Sequence, residues 1–400
     1  MKKLTLAVLM AFGLPTISFA GSFVTYEGHP VVKGEYIVVF ESDSKKAGAA
    51  EKAILALVGK NSIRIDQRWN AALHGMAISN VDEATAKEIA ATEGVESVSQ
   101  NIVLHPSTVQ LNAPPQLDRI DQPNLPTDGK YDYLYMGTGV NAYILDGAIR
   151  TTHNEFRPPG NPTGPSRATN DVDIAGAGTT PSRHGTLIAS LVGGVVSGVA
   201  KNVRIHGVTV AKSENLSSAA WLLGGVDWVA QHGTRPAVVN ISFNHPPSPP
   251  PGLKTAIQNL VTAGFFVAAS AGNSAGDACS DPIAGASGVY TVAGLTNSDE
   301  SWDFQTDWGA TATGPCVSAY ARYAVTGAAH LADNAISGDI GTSYSAPIAA
   351  GIAAQILQVF PGVSPATVTA EINGRATPNK VTGIPAVPAG TPNRILRSWP

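Results

Sequence analysis

Four polar residues, far apart in the chain, are of the types that covalent hydrolysis of an amide requires: Asp146, His184, Asn273 and Ser343. That reaction needs a nucleophile, a base to take its proton, an acid to orient the base, and donors for the oxyanion. Ser343 offers a hydroxyl in Gly341-Thr-Ser-Tyr-Ser-Ala-Pro-Ile348, at the opening of an apolar segment. If that segment is a helix, its unbonded N–H groups face developing negative charge. His184 stands in Arg183-His-Gly-Thr-Leu-Ile-Ala189, with Gly185 leaving room beside the imidazole. Asp146 ends the apolar run Val140 to Leu145, so its carboxylate emerges from a buried strand. Asn273 follows Gly272 in a turn just after the run Phe265 to Ala269, where its amide is a second oxyanion donor.

Taken singly, each of these residues has an ordinary structural explanation. An Asp at a strand end is commonly a turn or cap residue, Ser343 fits a helix N-cap, and Asn273 after glycine fits a turn. The chain also carries a second copy of the His184 tripeptide, His232-Gly233-Thr234. That copy ends a helical segment, with Gly233 as C-cap and Pro236 close behind, and reads as structural. What points to chemistry is the conjunction of all four residues on consistent elements.

Those elements alternate. From Gly139 onward the pattern is strand, then helix: strands over Val140 to Leu145, Val203 to Val210, Ala237 to Phe243, Phe265 to Ala269 and Val289 to Ala293. Helices are expected over His184 to Val192, Ser217 to Gln231, Leu253 to Ala263 and Ser343 to Val359. Near-continuous apolar strands between helices predict an α/β fold whose mostly parallel sheet is covered on both faces. Ligands gather at the carboxyl ends of such strands. Ahead of this lies a smaller α+β pattern over residues 34 to 104, with strands at Gly34 to Phe40, His74 to Ile78 and Val95 to Val103. Its helices are expected at Ala49 to Leu57 and Asp82 to Glu93. Residues 105 to 130, rich in Pro, Asn, Gln and Asp, read as an exposed connector, and Pro246 to Pro251 as a stiff surface loop.

With 400 residues and 44% hydrophobic content the chain can bury a sizeable core, while charged residues make up only 14% and the formal net charge is −4. No Lys/Arg-rich run appears, which argues against nucleic acid as a partner. Met1-Lys2-Lys3, the apolar run Leu4 to Leu14 and Ser18-Phe19-Ala20 before Gly21 form the pattern of a signal peptide cut after Ala20. The run is shorter than the ~20 residues a membrane span requires, and Pro15 interrupts it. The chain has two cysteines, Cys279 and Cys316. In an oxidising compartment an even pair suggests one disulfide, whereas in the cytosol two separate buried thiols would be favoured. No cluster with metal-ligand spacing is visible.

The chain order Asp, His, Ser is that of the subtilisins, and the local motifs resemble that family's Asp-Thr-Gly, His-Gly-Thr-His and Gly-Thr-Ser-Met-Ala-x-Pro. Within the family the likeness is to the aqualysin and proteinase K branch. It is carried by Leu117-Asp-Arg-Ile-Asp-Gln122, Gly137-Thr-Gly-Val-Asn141, Gly225-Val-Asp-Trp-Val229, Arg235-Pro-Ala-Val-Val-Asn240 and Gly390-Thr-Pro-Asn-Arg-Ile395. It runs from about Gly34 to the C-terminus. The resemblance implies a subtilisin-like three-layer fold and a secreted serine endopeptidase acting on proteins or peptides. It also implies that residues 34 to 104 are an inhibitor-like propeptide that the enzyme cuts off itself between Leu104 and Pro114, and that Cys279 pairs with Cys316. It requires no cofactor. Structural calcium is common among relatives, but their ligand loops have no clear counterpart here.

Several positions depart from the pattern. Asp146-Gly147-Ala148 replaces Asp-Thr-Gly, Leu187 replaces the second His, Tyr344-Ser345 replaces Met-Ala, and Ile348 stands where a His follows the proline. Family members bind substrate as an added strand against Ser-Leu-Gly-Gly. Here that segment reads Ser242-Phe243-Asn244-His245, facing a wall of Ser270-Ala271-Gly272. Side chains at Asn244 and His245 narrow or redirect the primary specificity pocket. The segment Lys212 to Ser217 likewise departs from the usual Gly-Ser-Gly, which alters the outer subsites. Two functions follow as expectations: an active endopeptidase of restricted specificity, and a secreted binding protein that keeps the groove without turnover. An α/β-hydrolase esterase fits poorly, because no Gly-x-Ser-x-Gly surrounds Ser343 and the acid precedes the base.

Overall fold

The alternating pattern resolves into two units, Met1–His105 and Pro106–Pro400. They are seen in a computed structural model that describes residues 21–26, 31–61, 63–102, 108–213, 216–244, 252–303, 309–385 and 388–398. The expected signal segment Met1 to Ala20, Leu104, His245 and the Pro246 to Pro251 run lie outside the described residues.

The first unit runs β1 (Ser22–Val24), β2 (Val31–Phe40), α1 (Ser44–Asn61), β3 (Arg64–Trp69), β4 (Gly75–Ser79), α2 (Glu83–Ala90) and β5 (Val95–Ile102). Its sheet order is β1-β5-β2-β4-β3, antiparallel except for the β1–β5 pair. Asp82 caps α2 by accepting the Thr85 N–H, and Val38, Ile54, Met76, Ile78, Ile89 and Val98 fill the core between sheet and helices. Strand β3 has no counterpart in the sequence reading. Four of its six side chains are exposed, so no apolar alternation marks it.

The second unit opens with β6 (Thr108–Leu111), α3 (Pro115–Asp118) and β7 (Lys130–Tyr133). It continues through β8 (Asn141–Asp146), β9 (Ala168–Asp173), α4 (Arg183–Gly193), β10 (Arg204–Thr209), β11 (Ala211–Ser213), β12 (Leu216–Ser217) and α5 (Ala219–His232). Then come β13 (Ala237–Ile241), α6 (Leu253–Thr262), β14 (Phe266–Ser270), β15 (Tyr290–Leu295), β16 (Val317–Arg322), β17 (Ala324–Ala328) and β18 (Ile336–Ile340). The chain ends with α7 (Thr342–Val359), α8 (Pro365–Arg375), β19 (Thr377–Pro378) and β20 (Arg394–Ile395). The main sheet has the order β19-β20-β16-β15-β14-β13-β8-β10-β9 and is parallel apart from the β19–β20 pair.

Period-two alternation divides each central strand between two cores. Ile144, Val238, Phe266 and Val292 pack with α4 and α7 on one face. Leu145, Val239, Val267 and Ala269 pack with α5 and α6 on the other. Helix α7 is buried almost all round, which its apolar composition anticipates. The reading of residues 105 to 130 as an exposed connector is corrected in its middle. Leu117, Arg119 and Ile120 are fully buried, and Arg119 donates from Nε and Nη2 to the two carboxylate oxygens of Asp299, each at 2.8 Å. A buried cation needs such a partner, and the partner is 180 positions away. The stretch between β15 and α7, for which no element is expected from the sequence, contains β16 and the β17–β18 hairpin.

Candidate active site

Three elements deliver the expected residues to the carboxyl edge of the sheet. Asp146 is the last residue of β8, the strand flanked by β10 and β13, and is 1% exposed. A carboxylate so buried must be satisfied. It accepts the Gly147 N–H at 2.7 Å, and His184 Nδ1 lies 2.8 Å from Oδ2 and 3.0 Å from Oδ1. With Nδ1–H donating to Asp146, Nε2 is the basic nitrogen of the neutral ring.

His184 lies in the first turn of α4, whose N-cap Ser182 accepts the Gly185 N–H. The two glycines flanking the pair are sterically required. A Cβ on Gly185 would stand 2.2 Å from the Gly147 carbonyl oxygen, and one on Gly147 would stand 2.4 Å from Ser182 Cβ. The departure from Asp-Thr-Gly at Gly147 thus has a cause: the space a side chain would take is filled by Ser182. Leu187 has a cause as well, being fully buried in the core beneath α4.

Ser343 is the second residue of α7, after the N-cap Gly341 at φ 142°, and its N–H belongs to the unbonded first turn. Four residues on, Pro347 has no N–H to give to the Ser343 carbonyl. That carbonyl instead accepts from Ser242 Oγ at 2.7 Å, and Asn240 Nδ2 donates to the same Ser242 Oγ at 2.9 Å. The Ser343 hydroxyl donates to the Ser242 carbonyl at 3.2 Å. The proline therefore frees an acceptor by which the end of β13 holds the serine turn.

Asn273 faces the same turn. Its Oδ1 accepts from the Thr342 N–H at 2.8 Å and from Thr342 Oγ1 at 2.7 Å, and Thr342 Oγ1 accepts the Gly272 N–H. Two donors on Oδ1 fix the amide orientation, which directs Nδ2 as the group available to donate.

The groove residues gather around this edge. The Phe243 ring centroid is 6.3 Å from that of His184. Asn244, Ala271, Gly272 and Asn273 line a cavity of about 500 Å³. Asn244 is held by the buried Ser270: Nδ2 donates to the Ser270 carbonyl and Ser270 Oγ donates to Asn244 Oδ1, both at 3.3 Å. The cavity continues to Asp277 and Asp281, and Cys279 and Cys316 form a disulfide with a Cα separation of 5.2 Å. Tyr344, in place of methionine, is 4% exposed, and its ring centroid lies 5.3 Å from that of His184. Burial, then the hydrogen bond to the Asp339 carboxylate, push its phenol far up, so it stays protonated. Sequence reading misses Ser182, Asn240 and Asp339; only the Tyr344 departure flags the last.

The second tripeptide copy is not brought here. His232 ends α5, its Nδ1 lies 3.0 Å from the Trp228 carbonyl, and its ring stacks on Trp228 at 5.0 Å. Gly233 is the C-cap as expected, with φ −66° rather than a left-handed conformation. Among the described residues no group of three or more His, Cys, Asp or Glu side chains is placed to hold a metal ion, and no helix is long and apolar enough to cross a membrane.

Residues 137–388 match the Subtilase family, peptidase S8. The chain is 31% identical to an extracellular serine proteinase of Thermus sp. (strain Rt41A), over 89% of this chain and 88% of that protein. It is 32% identical to alkaline serine exoprotease A of Vibrio alginolyticus, over 92% of this chain and 68% of that protein. The crystal structure of a cold-adapted subtilisin-like serine proteinase aligns with a TM-score of 0.64 and 34% identity, covering 72% of this chain and 99% of that one. The chain belongs to the subtilase family, and it is a serine endopeptidase.

Proposed function

We propose that the chain is exported and hydrolyses peptide bonds in proteins or peptides through an acyl-enzyme on Ser343. The observation that carries this reading is the fixed imidazole, with His184 Nδ1 held on the buried Asp146 carboxylate. In the reaction Ser343 Oγ attacks the scissile carbonyl carbon as His184 Nε2 takes its proton. Asp146 keeps the ring in the required tautomer and stabilises the imidazolium. The Ser343 N–H and Asn273 Nδ2 receive the oxyanion. Collapse breaks the C–N bond, with the amine leaving protonated by His184, and water then cleaves the ester with the same base. Only protein groups are used.

The Asn244 side chain, which lines the cavity and is held by Ser270, supports restricted specificity, since it occupies space that a glycine leaves open in the family pattern. The extracellular relatives support export, with Met1 to Ala20 as signal peptide and a secreted or periplasmic destination. Residues 34 to 104 act as an intramolecular inhibitor until the enzyme cuts itself between Leu104 and Pro114. The division of the chain after His105 supports that boundary. A binding protein without turnover is the weaker reading, because every group the mechanism uses is retained.

The test compares the precursor with its Ser343→Ala variant by intact mass and N-terminal sequence. The parent is expected to begin within 104–114 and the variant to keep its first unit. Two folded, unprocessed products would overturn the self-processing reading, and peptide turnover unaffected by Ser343→Ala would overturn the nucleophile.

A further inference from the structure

Beside each residue assigned as nucleophile and base stands a side chain that the mechanism leaves unused. Arg183 precedes His184, and Tyr344 follows Ser343. Both reach one carboxylate. Tyr344 Oη donates to Asp339 Oδ2 at 2.6 Å, and Arg183 Nη1 lies 2.8 Å from the same oxygen. Arg183 Nη2 also donates to the Gly338 carbonyl at 3.2 Å. Asp339 belongs to β18, which hands the chain to α7 through Ile340 and Gly341. The subtilisin pattern has methionine at the Tyr344 position, and a thioether has no O–H to give.

We propose that Tyr344, Asp339 and Arg183 are positioning residues that join the first turns of α4 and α7 and so set the His184 imidazole against the Ser343 hydroxyl. The proposal rests on the assignment of Ser343 and His184 above. Hydrogen bonds to a carboxylate are shorter and roughly twice as strong as neutral ones, and here two of them converge on a side chain that is 20% exposed. The tilted Tyr344 ring walls one side of the imidazole, so the tie to Asp339 restrains the ring as well as the two turns. Displacement of a reacting group by about 1 Å can cost on the order of 10² in rate, so a loosened tie is read in kcat.

The charges around His184 come from separate elements. Asp146 on β8 faces Nδ1, Arg183 precedes His184 on α4, and Asp339 on β18 pairs with Arg183 and Tyr344. Tyr344 from α7 and Phe243 after β13 add rings without charge. The Arg183–Asp339 pair is neutral as a unit. Removing Asp339 takes away the negative charge that offsets Arg183, the residue before His184, so the net positive charge near the imidazole rises, which disfavours its protonation and lowers the acid limb of the pH profile.

The experiment measures kcat, KM and the pH dependence of kcat/KM on a peptide substrate for parent, Tyr344→Phe, Asp339→Asn, Asp339→Glu and Ser343→Ala, with active sites counted by titration. Tyr344→Phe is expected to lower kcat about tenfold with KM within about twofold, the scale of one lost charge-assisted hydrogen bond. Asp339→Asn is expected to lower it at least as far and to move the acid limb down by about half a pH unit. Asp339→Glu restores part of the rate. Full activity in Ser343→Ala would refute the nucleophile assignment instead. With Ser343→Ala inactive, a kcat within about twofold of the parent and an unmoved acid limb in both Tyr344→Phe and Asp339→Asn would overturn the positioning role alone. A lower melting temperature with unchanged kinetics would do the same. Should Asp339→Asn fail to fold, Tyr344→Phe decides by its kcat.

Discussion

The two His-Gly-Thr copies occupy opposite ends of their helices and opposite edges of the sheet. At the carboxyl edge His184 opens α4, where first-turn N–H groups lack partners, and its Nδ1 meets the Asp146 carboxylate. At the amino edge His232 closes α5, where carbonyls lack partners, and its Nδ1 turns back on the Trp228 carbonyl of its own helix. One ring is aimed out of the fold by a neighbouring strand, and the other finishes the helix that carries it. The same contrast extends along both edges. Asp146, Asn273 and Ser343 collect at the first; Arg167, Glu155 and Lys201 knit loops together at the second. The proposed chemistry and the closure of loops are thus separated by the length of a strand.

The sharpest way to break this comparison is to remove each ring. His184→Ala is expected to lower kcat/KM by on the order of 10⁴ or more, as loss of a triad base does. His232→Ala should stay within about twofold of the parent and cost about 1 kcal/mol of stability at most. Kinetics and urea unfolding of the two variants side by side check both halves. A large kinetic loss in His232→Ala would erase the distinction between the edges.

A second pair is smaller in effect and separates rate from stability. Asn273→Ala removes the proposed oxyanion donor, and loss of such a donor costs on the order of 10²–10³ in kcat in the subtilisin case. Arg167 gives four hydrogen bonds to the carbonyls of Arg157, Val203, Glu155 and Gly193, the last within the final turn of α4. Arg167→Met leaves those acceptors unpaired and is expected to cost about 3 kcal/mol, with kcat of the folded enzyme unchanged. Rate and unfolding measured on both variants should therefore move in opposite columns. If Arg167→Met reduced kcat at full folding, the amino edge would be coupled to the reaction.

Much of the carboxyl edge was legible in the sequence because its elements announce themselves. Val140 to Leu145, apolar but for Asn141, and Phe265 to Ala269 are short runs of the length and kind that buried strands take, and β8 and β14 lie within one residue of them. The order of Asp146, His184 and Ser343 supplied the rest, through the family likeness. What stayed hidden depends on partners distant in sequence. Arg119 reads as an ordinary connector cation until Asp299 is placed against it, 180 residues on. Asp339 lies in β18, a strand with no buried side chain to mark it, and its bond to Tyr344 is set by the turn into α7. Strand β3 was missed for the same reason, its face being polar. Local patterning reports burial; convergence of charges across the fold leaves no local trace.

The least conspicuous test of the amino edge is a slope with pH. Lys201 is 2% exposed and donates to the carbonyls of Gly198 at 2.9 Å and Val196 at 3.2 Å, with the rings of Tyr131 and Tyr133 about its ammonium. Burial brings its pKa down to about 7, with Glu155 opposing the shift and Arg167 adding to it. The unfolded chain keeps this proton up to the ordinary lysine value near 10.5. Between those two values the unfolded state binds more protons than the folded one, so the group makes stability rise with pH across that window. Urea midpoints at pH 7 and pH 9 check the sign, taken in the Ser343→Ala background to prevent self-digestion. The parent side chain is expected to give a rise that Lys201→Met loses. An equal slope in both proteins would mean that the two carbonyls and two rings hold the ammonium charged throughout. Buried polar groups at this edge would then serve closure without any titration, and the two edges would differ in chemistry even more than their histidines do.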